Sequence, residues 1–246
     1  PREACNPGDV VLEVNGLTTE KVYDISFSVR AGEIVGFSGL MGAGRTELAG
    51  AIIGADTRKS GQVLVNGEAI PADSTDKALK MGIGYVPEDR KNHGIFAQSC
   101  VRKNMTISAL RQFKNSIKVN HSNEITSVNK MVKDLHIKTP SIEQLICKLS
   151  GGNQQKVILA RFLMMDGIKV LIIDEPTRGI DVGAKAEIYS ILDELTHQGL
   201  AVVMISSEMP EILSMCDRIY VMKKGRITAE FKREEATQEK LLSKAI

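Results

Sequence analysis

Gly39-Leu40-Met41-Gly42-Ala43-Gly44-Arg45-Thr46 is the stretch on which the reading of this chain turns. It follows an apolar run, Ile34 to Phe37, that reads as a strand. It leads into Glu47-Leu48-Ala49-Gly50-Ala51-Ile52-Ile53, which reads as a helix. Strand, glycine-rich turn and helix together make the setting of a phosphate-binding loop. Glycines let backbone N–H groups turn inward around phosphate oxygens, and the helix adds its positive N-terminal end. The pattern G-x-x-x-x-G-K-[ST] is met at every position but one, because Arg45 stands where a lysine is expected.

Two further stretches carry chemistry. Leu171-Ile172-Ile173-Asp174-Glu175 reads as a buried strand ending in two carboxylates. Parallel sheets bind ligands at their strand C-termini, so Asp174 is expected to hold Mg²⁺ together with Thr46, the metal bridging two phosphates. Glu175, one residue further, is placed to polarise an attacking water as general base. Leu149-Ser150-Gly151-Gly152-Asn153-Gln154-Gln155 reads as a serine-capped helix start. Its unpaired N–H groups make an anion site.

The sequence L-S-G-G-[QN] some twenty residues before such an acidic strand resembles the signature of ATP-binding cassette (ABC) domains, and the resemblance runs from about residue 10 onward. It implies an α/β fold: a P-loop NTPase core of ABC type, with an antiparallel β subdomain and an inserted helical subdomain at about 98–165. It also implies ATP and Mg²⁺ as ligands, with Gly39, Leu40, Met41, Gly42, Ala43, Gly44, Arg45 and Thr46 around the phosphates. Ser150, Gly151, Gly152 and Asn153 would be offered to a partner's ATP. Asp181, in Gly179-Ile180-Asp181, would face that partner. Glu88, in Tyr85-Val86-Pro87-Glu88, stands where the family has a glutamine that helps with the metal, and Ser207 stands where it has a switch histidine. Tyr23 is a candidate for stacking on adenine, or else an ordinary strand aromatic.

Three positions that would touch the γ-phosphate have therefore changed together: Arg45, Glu88 and Ser207. Arg45 keeps the charge, but its planar fork binds differently from an ammonium. A lost histidine donor is typically worth ~3 kcal/mol in the transition state. The signature, Asp174 and Glu175 are intact, so the domain is expected to complete a partner's site while hydrolysing poorly at its own. G-L-M-G-A-G-R-T, Y-V-P-E-D-R-K, L-S-G-G-N-Q-Q-K and D-E-P-T-R-G-I-D together resemble the second cassette of bacterial monosaccharide importers. That implies a second cassette fused upstream, a transmembrane permease, a periplasmic sugar-binding protein, and a place on the cytoplasmic face of the inner membrane. Alternatives are a regulatory module that binds nucleotide without turnover, and a cassette of translation or DNA repair. The latter depend on basic extensions or long coiled-coil inserts, which are not visible here.

Outward from these motifs, Val10–Val14, Ile25–Val29, Gly61–Gly67 with its Asn66-Gly67 turn, Ile83–Val86 and Ala201–Ile205 read as strands. Helices are expected at about Ser74–Lys80, Gly183–Leu195 and Pro210–Cys216. Ile219–Met222 and Ile227–Phe231 pair around Lys224-Gly225, and a charged helix closes the chain. From about 98 to 144 strand-like runs vanish. Residues 1–9 read as a linker, and a start at Pro1 without methionine suggests a piece of a longer polypeptide.

Composition narrows the function classes. The 246 residues are 43% hydrophobic and 25% charged, an ordinary globular balance. No Trp, 4% aromatics and a net charge of +2 argue against a nucleic-acid surface. Cys5, Cys100, Cys147 and Cys216 lack C-x-x-C spacing and are expected to be small buried or half-buried apolar residues. Met164, Met165 and Met204 are expected in the core. His93, His121, His136 and His197 are read as surface residues, and Arg90, Lys91 and Lys232–Glu235 as solvated charge. No apolar run approaches the ~18 residues a membrane span needs, and no basic-then-apolar leader opens the chain.

Overall fold

The computed structural model describes residues 6–115 and 118–246. Cys5 and the first five residues of the expected linker lie outside the described residues. Gly8 and Asp9 are already tied to Ala31 by backbone hydrogen bonds.

In chain order the elements are β1 (Val10–Thr18), β2 (Ile25–Arg30), β3 (Ile34–Gly39), α1 (Arg45–Ile53), β4 (Ser60–Val65), β5 (Glu68–Ala69), α2 (Thr75–Lys80) and β6 (Ile83–Val86). A π-helical turn at Arg90–Gly94 precedes α3 (Val101–Thr106), β7 (Lys114–Asn115), β8 (Lys118–Val119), α4 (His121–Asp134) and α5 (Gly151–Leu163). Then come β9 (Val170–Asp174), α6 (Val182–His197), β10 (Ala201–Ile205), α7 (Met209–Met215), β11 (Arg218–Lys223), β12 (Arg226–Lys232) and α8 (Gln238–Ala245).

Two compact units divide these elements. The first holds the described residues up to Tyr85, with Lys169–Pro176 and Leu192–Ile246; the second holds Val86–Ile168 and Thr177–Ile191. In the first unit an antiparallel sheet runs β2-β1-β4-β5, and the main sheet runs β12-β11-β3-β10-β9-β6. Strands β11, β3, β10 and β9 are parallel, with β12 antiparallel at the edge. Every residue of β9 and β10 is buried, as continuous apolar runs in a covered parallel sheet must be. Phe27 of β2 meets Phe37 of β3 edge-on at 4.8 Å between centroids, and Tyr220 of β11 stacks on Phe37 at 5.4 Å. That cluster joins the two sheets into one core.

Several expectations need correction. Strand β1 does not stop at Val14: Gly16, at φ +60°, takes up a register shift against β2, and the strand runs on to Thr18. The Asn15-Gly16 pair thus forms a bulge. Tyr23 lies between β1 and β2 and not in a strand. Its hydroxyl donates to the Glu20 carbonyl, and the Arg226 guanidinium lies 5.3 Å from its ring. Among its described residues the second unit adds to its helices a short antiparallel pairing, Lys114↔Val119 and Asn115↔Lys118, in a mostly polar stretch without a strand signal, and a lone bridge between Cys100 and Leu145. Met204 and Cys216 are fully buried, but Met164 and Met165 are only half-buried at the end of α5, and Cys147 is exposed. Among the described residues no helix is long and apolar enough to cross a membrane.

Candidate nucleotide site

The glycine-rich loop springs from the buried end of β3. Gly44 is the N-cap of α1 at φ +99°, and a Cβ there would meet Val22 and the Gly225 backbone at 3.1 and 3.2 Å, so both backbone and packing demand glycine. The first intrahelical bond runs from the Leu48 N–H to the Gly44 carbonyl. The N–H groups of Arg45, Thr46 and Glu47 therefore have no acceptor in the helix, and an anion would supply one. Around Gly42 a Cβ would meet nothing within 4 Å. Ala43 is buried beneath this open mouth, while Leu40 and Met41 are exposed.

The tip of β9 faces the loop. Thr46 Oγ1 donates to Asp174 Oδ2 at 2.7 Å. Asp174 is 1% exposed, and burial raises its carboxyl to about 6, against the partial relief of the Thr46 hydrogen bond. Burial, and then the Asp174 carboxylate, keep the nearby Tyr85 phenol protonated far above its usual range. Glu175 follows at φ +50°, a left-handed conformation uncommon for a non-glycine residue and characteristic of functional sites. It is held there from β10: its N–H donates to the Ile205 carbonyl at 2.8 Å, and its Oε1 accepts the Ser207 N–H at 2.7 Å. Arg45 closes the group, donating through Nη1 to the Ser206 carbonyl at 2.6 Å with Nη2 4.0 Å from Glu175 Oε1.

Arg45 and Ser207 thus converge on Glu175. The Ser207 contact is made by its backbone and not its hydroxyl. Sequence reasoning missed Ser206, which is buried; its hydroxyl donates to the Glu211 carboxylate and accepts the Glu208 N–H at 3.0 Å, fixing the turn out of β10. A polar pair such as Ser206 and Glu211 straddling a helix start was the available signal.

The remaining predicted residues lie in the second unit. Ser150 is the N-cap of α5, but its hydroxyl does not cap: it accepts from Asn153 Nδ2 at 2.9 Å, while Asn153 Oδ1 accepts the Lys138 N–H at 2.7 Å. Asn153 competes for the serine, so the first amides of α5 stay open. Gly152 is packed under Ala184 of α6, where a Cβ would come to 2.6 Å. Asp181 caps the start of α6, accepting the Ala184 N–H at 3.0 Å. Glu88 forms an ion pair with Arg178, a residue sequence reasoning passed over although it stands in the same motif as Asp174 and Glu175.

The donor set fits a magnesium nucleotide. The loop offers amides and open space. Thr46 and the buried Asp174 offer a hydroxyl and a carboxylate, as suits an ion that keeps most of its shell for phosphate and water. A glycine-rich loop between β3 and α1, beside an acidic strand tip in a parallel sheet, defines the P-loop class of nucleotide-binding domains. The profile of the family described as ABC transporter matches residues 22–178, and the chain belongs to that family.

Relatives and solved structures agree. The chain is 47% identical over its whole length to half of the ribose import ATP-binding protein of Caldanaerobacter subterraneus. Over 94% of its length it is 50% identical to the arabinose import ATP-binding protein of Rhizobium meliloti, covering 46% of that protein. Against the xylose import ATP-binding protein of Thermoanaerobacter pseudethanolicus the identity is 48%, over 98% of this chain and 50% of that one. The chain thus spans about half the length of the curated relatives it matches. An ABC-transporter cassette in its ADP conformation shares the fold with a TM-score of 0.80 at 22% identity, over 96% of this chain and 98% of that one.

Proposed function

We propose that this chain is an ATP-binding domain of a bacterial sugar importer, lending its signature to a second cassette fused upstream while its own loop hydrolyses weakly. The observation that carries the reading is the state of Glu175. Its Oε1 accepts the Ser207 N–H and lies 4.0 Å from Arg45 Nη2, so one of its two carboxylate oxygens is already engaged within this chain. The amides after Gly44, with the Arg45 charge, would bind phosphates; Thr46 and Asp174 would hold Mg²⁺. That ion supplies charge neutralisation on the β- and γ-phosphates when bound. In the second unit Ser150, Gly151, Gly152 and Asn153 would be presented to the partner's ATP, with Asp181 at the junction.

The names of the half-length relatives support a sugar as cargo; a permease and a periplasmic sugar-binding protein as partners, at the cytoplasmic face of the inner membrane, belong to the same proposal. A surface hollow of about 290 Å³ in the second unit, between exposed Phe96 and Ile107, supports a permease contact.

The experiment is ATPase of the full-length protein carrying Ser150→Arg or Arg45→Ala. Loss of a preorganised phosphate contact typically costs about 10²–10³ in rate, and we expect that loss from Ser150→Arg while Arg45→Ala retains most turnover. The reverse order would overturn the asymmetry. The same engagement of Glu175 favours one other reading, a module that binds nucleotide without turnover. Under it, Ser150→Arg would leave ATPase and sugar uptake untouched; we expect both to fall.

A further inference from the structure

Arg90 stands two residues after Glu88 in the Y-V-P-E-D-R-K stretch, where its plain reading is solvated charge. In the structure it is half-buried. Its Nη1 donates to the Arg178 carbonyl at 2.6 Å and its Nη2 to the Gly179 carbonyl at 3.2 Å. A Cβ on Gly151 would lie 2.8 Å from that Nη2 and 3.2 Å from the Gly179 oxygen. The guanidinium therefore fills the angle between the first residue of α5 and the loop that leads to Asp181. Its backbone opens the π-helical turn Arg90–Gly94, where a Cβ on Gly94 would come within 2.9 Å of Ile158 of α5. Among the described residues, Arg90 Nε is a buried donor without an acceptor. Burying that donor costs free energy, which the two Nη bonds offset.

We infer that Arg90 is a positioning residue: it locks the signature glycines and the loop 178–181 into one block with the turn after β6, so that Ser150 and Asp181 are presented together. The inference rests on the ATPase reading above and extends it, because it assigns a residue that neither phosphate nor metal would touch. A planar fork holds two adjacent carbonyls in fixed geometry, which a single ammonium does less rigidly, so lysine replaces it in part. The same packing explains why position 151 must be glycine.

The test is steady-state ATPase of the full-length protein with Arg90→Gln, Arg90→Lys, Gly151→Ala and the Arg90→Gln/Gly151→Ala pair, with nucleotide affinity and thermal stability measured beside it. Misplacement of a presenting loop by about an ångström can cost up to about 10² in rate. We expect Arg90→Gln to lower kcat by about tenfold or more with KM for ATP within about twofold, and Arg90→Lys to recover part. The double variant should be no worse than the worse single, since both disturb one contact. A kcat within about twofold of wild type, multiplying effects of the two changes, or a KM loss matching the kcat loss would overturn the inference. Amide hydrogen exchange decides independently of turnover. Arg90→Gln should speed exchange at Gly151–Asn153 in nucleotide-free protein, and unchanged exchange there sinks the proposal. A wild-type protein without ATPase activity would instead refute the functional reading and leave the exchange result to judge Arg90.

Discussion

Asp174 is a carboxylate placed where its own charge is costly. With its pKa raised from 3.8 to about 6 by burial, the native state binds the proton more tightly than the unfolded chain does. The sign follows: the cost is absent below about pH 4, grows as pH rises toward 6, and is complete at neutrality. At 1.36 kcal/mol per pKa unit it amounts to about 3 kcal/mol. Asp174→Asn should therefore raise thermal stability at pH 7 in EDTA, and the gain should vanish near pH 4. With Mg-ATP the order should invert, since only the carboxylate form binds the ion well. Equal melting of both proteins at pH 7 in EDTA would remove this account. At this scale the sequence pointed to Arg45, Asp174, Glu175 and Ser207, which the fold brings near one another, because motif spacing fixes residue types. It did not reveal their partners. Arg45, Glu88 and Ser207 read as three losses around one phosphate, yet Glu88 pairs with Arg178 while Arg45 and Ser207 meet at Glu175. Partners drawn from distant segments leave no periodicity to read.

Among the elements, α5 and α6 give Gly152 a packing role of its own. Gly152 sits where α5 rests on Ala184, and Lys156, 1% exposed, bonds Glu187 of α6 at 2.7 Å and the His136 carbonyl at 3.0 Å. Overpacking such a contact costs about 1–3 kcal/mol. We expect Gly152→Ala to lower the unfolding midpoint by that measure, and Gly152→Ala/Ala184→Gly to restore most of it, less the helix propensity lost at 184. Urea denaturation of the three proteins decides: if the second change brings no recovery, the contact is not what sets the glycine. The strands of the main sheet were legible because burial on two faces leaves continuous apolar runs such as Val170–Ile173. The Asn66-Gly67 hairpin was legible because both residues adopt positive φ, as that dipeptide favours. What escaped was local competition: Gly16 making a bulge, Asn153 taking the Ser150 hydroxyl, and a hairpin at 114–119 with no apolar alternation.

Across the whole molecule the motifs sort by compact unit. The phosphate loop, Asp174, Glu175 and Ser207 belong to the first; Glu88, the signature and Asp181 belong to the second. One unit thus holds the groups that would grip nucleotide, and the other holds groups suited to being offered elsewhere, so a change confined to the second should separate binding from output. Ile107 permits that test. It is 44% exposed at the end of α3 and lines the same hollow as Phe96, the surface proposed above for the permease. A carboxylate at this exposed position, in a hollow also lined by Arg102, Lys103 and Glu124, would oppose docking of an apolar helix. Ile107→Glu in the full-length protein should leave ATP affinity within about twofold and cut sugar uptake by about tenfold, as a charge desolvated at an interface does. Uptake at the wild-type rate would remove Ile107 from the coupling surface, and a parallel loss of ATP affinity would show that the two units do not divide the work in this way.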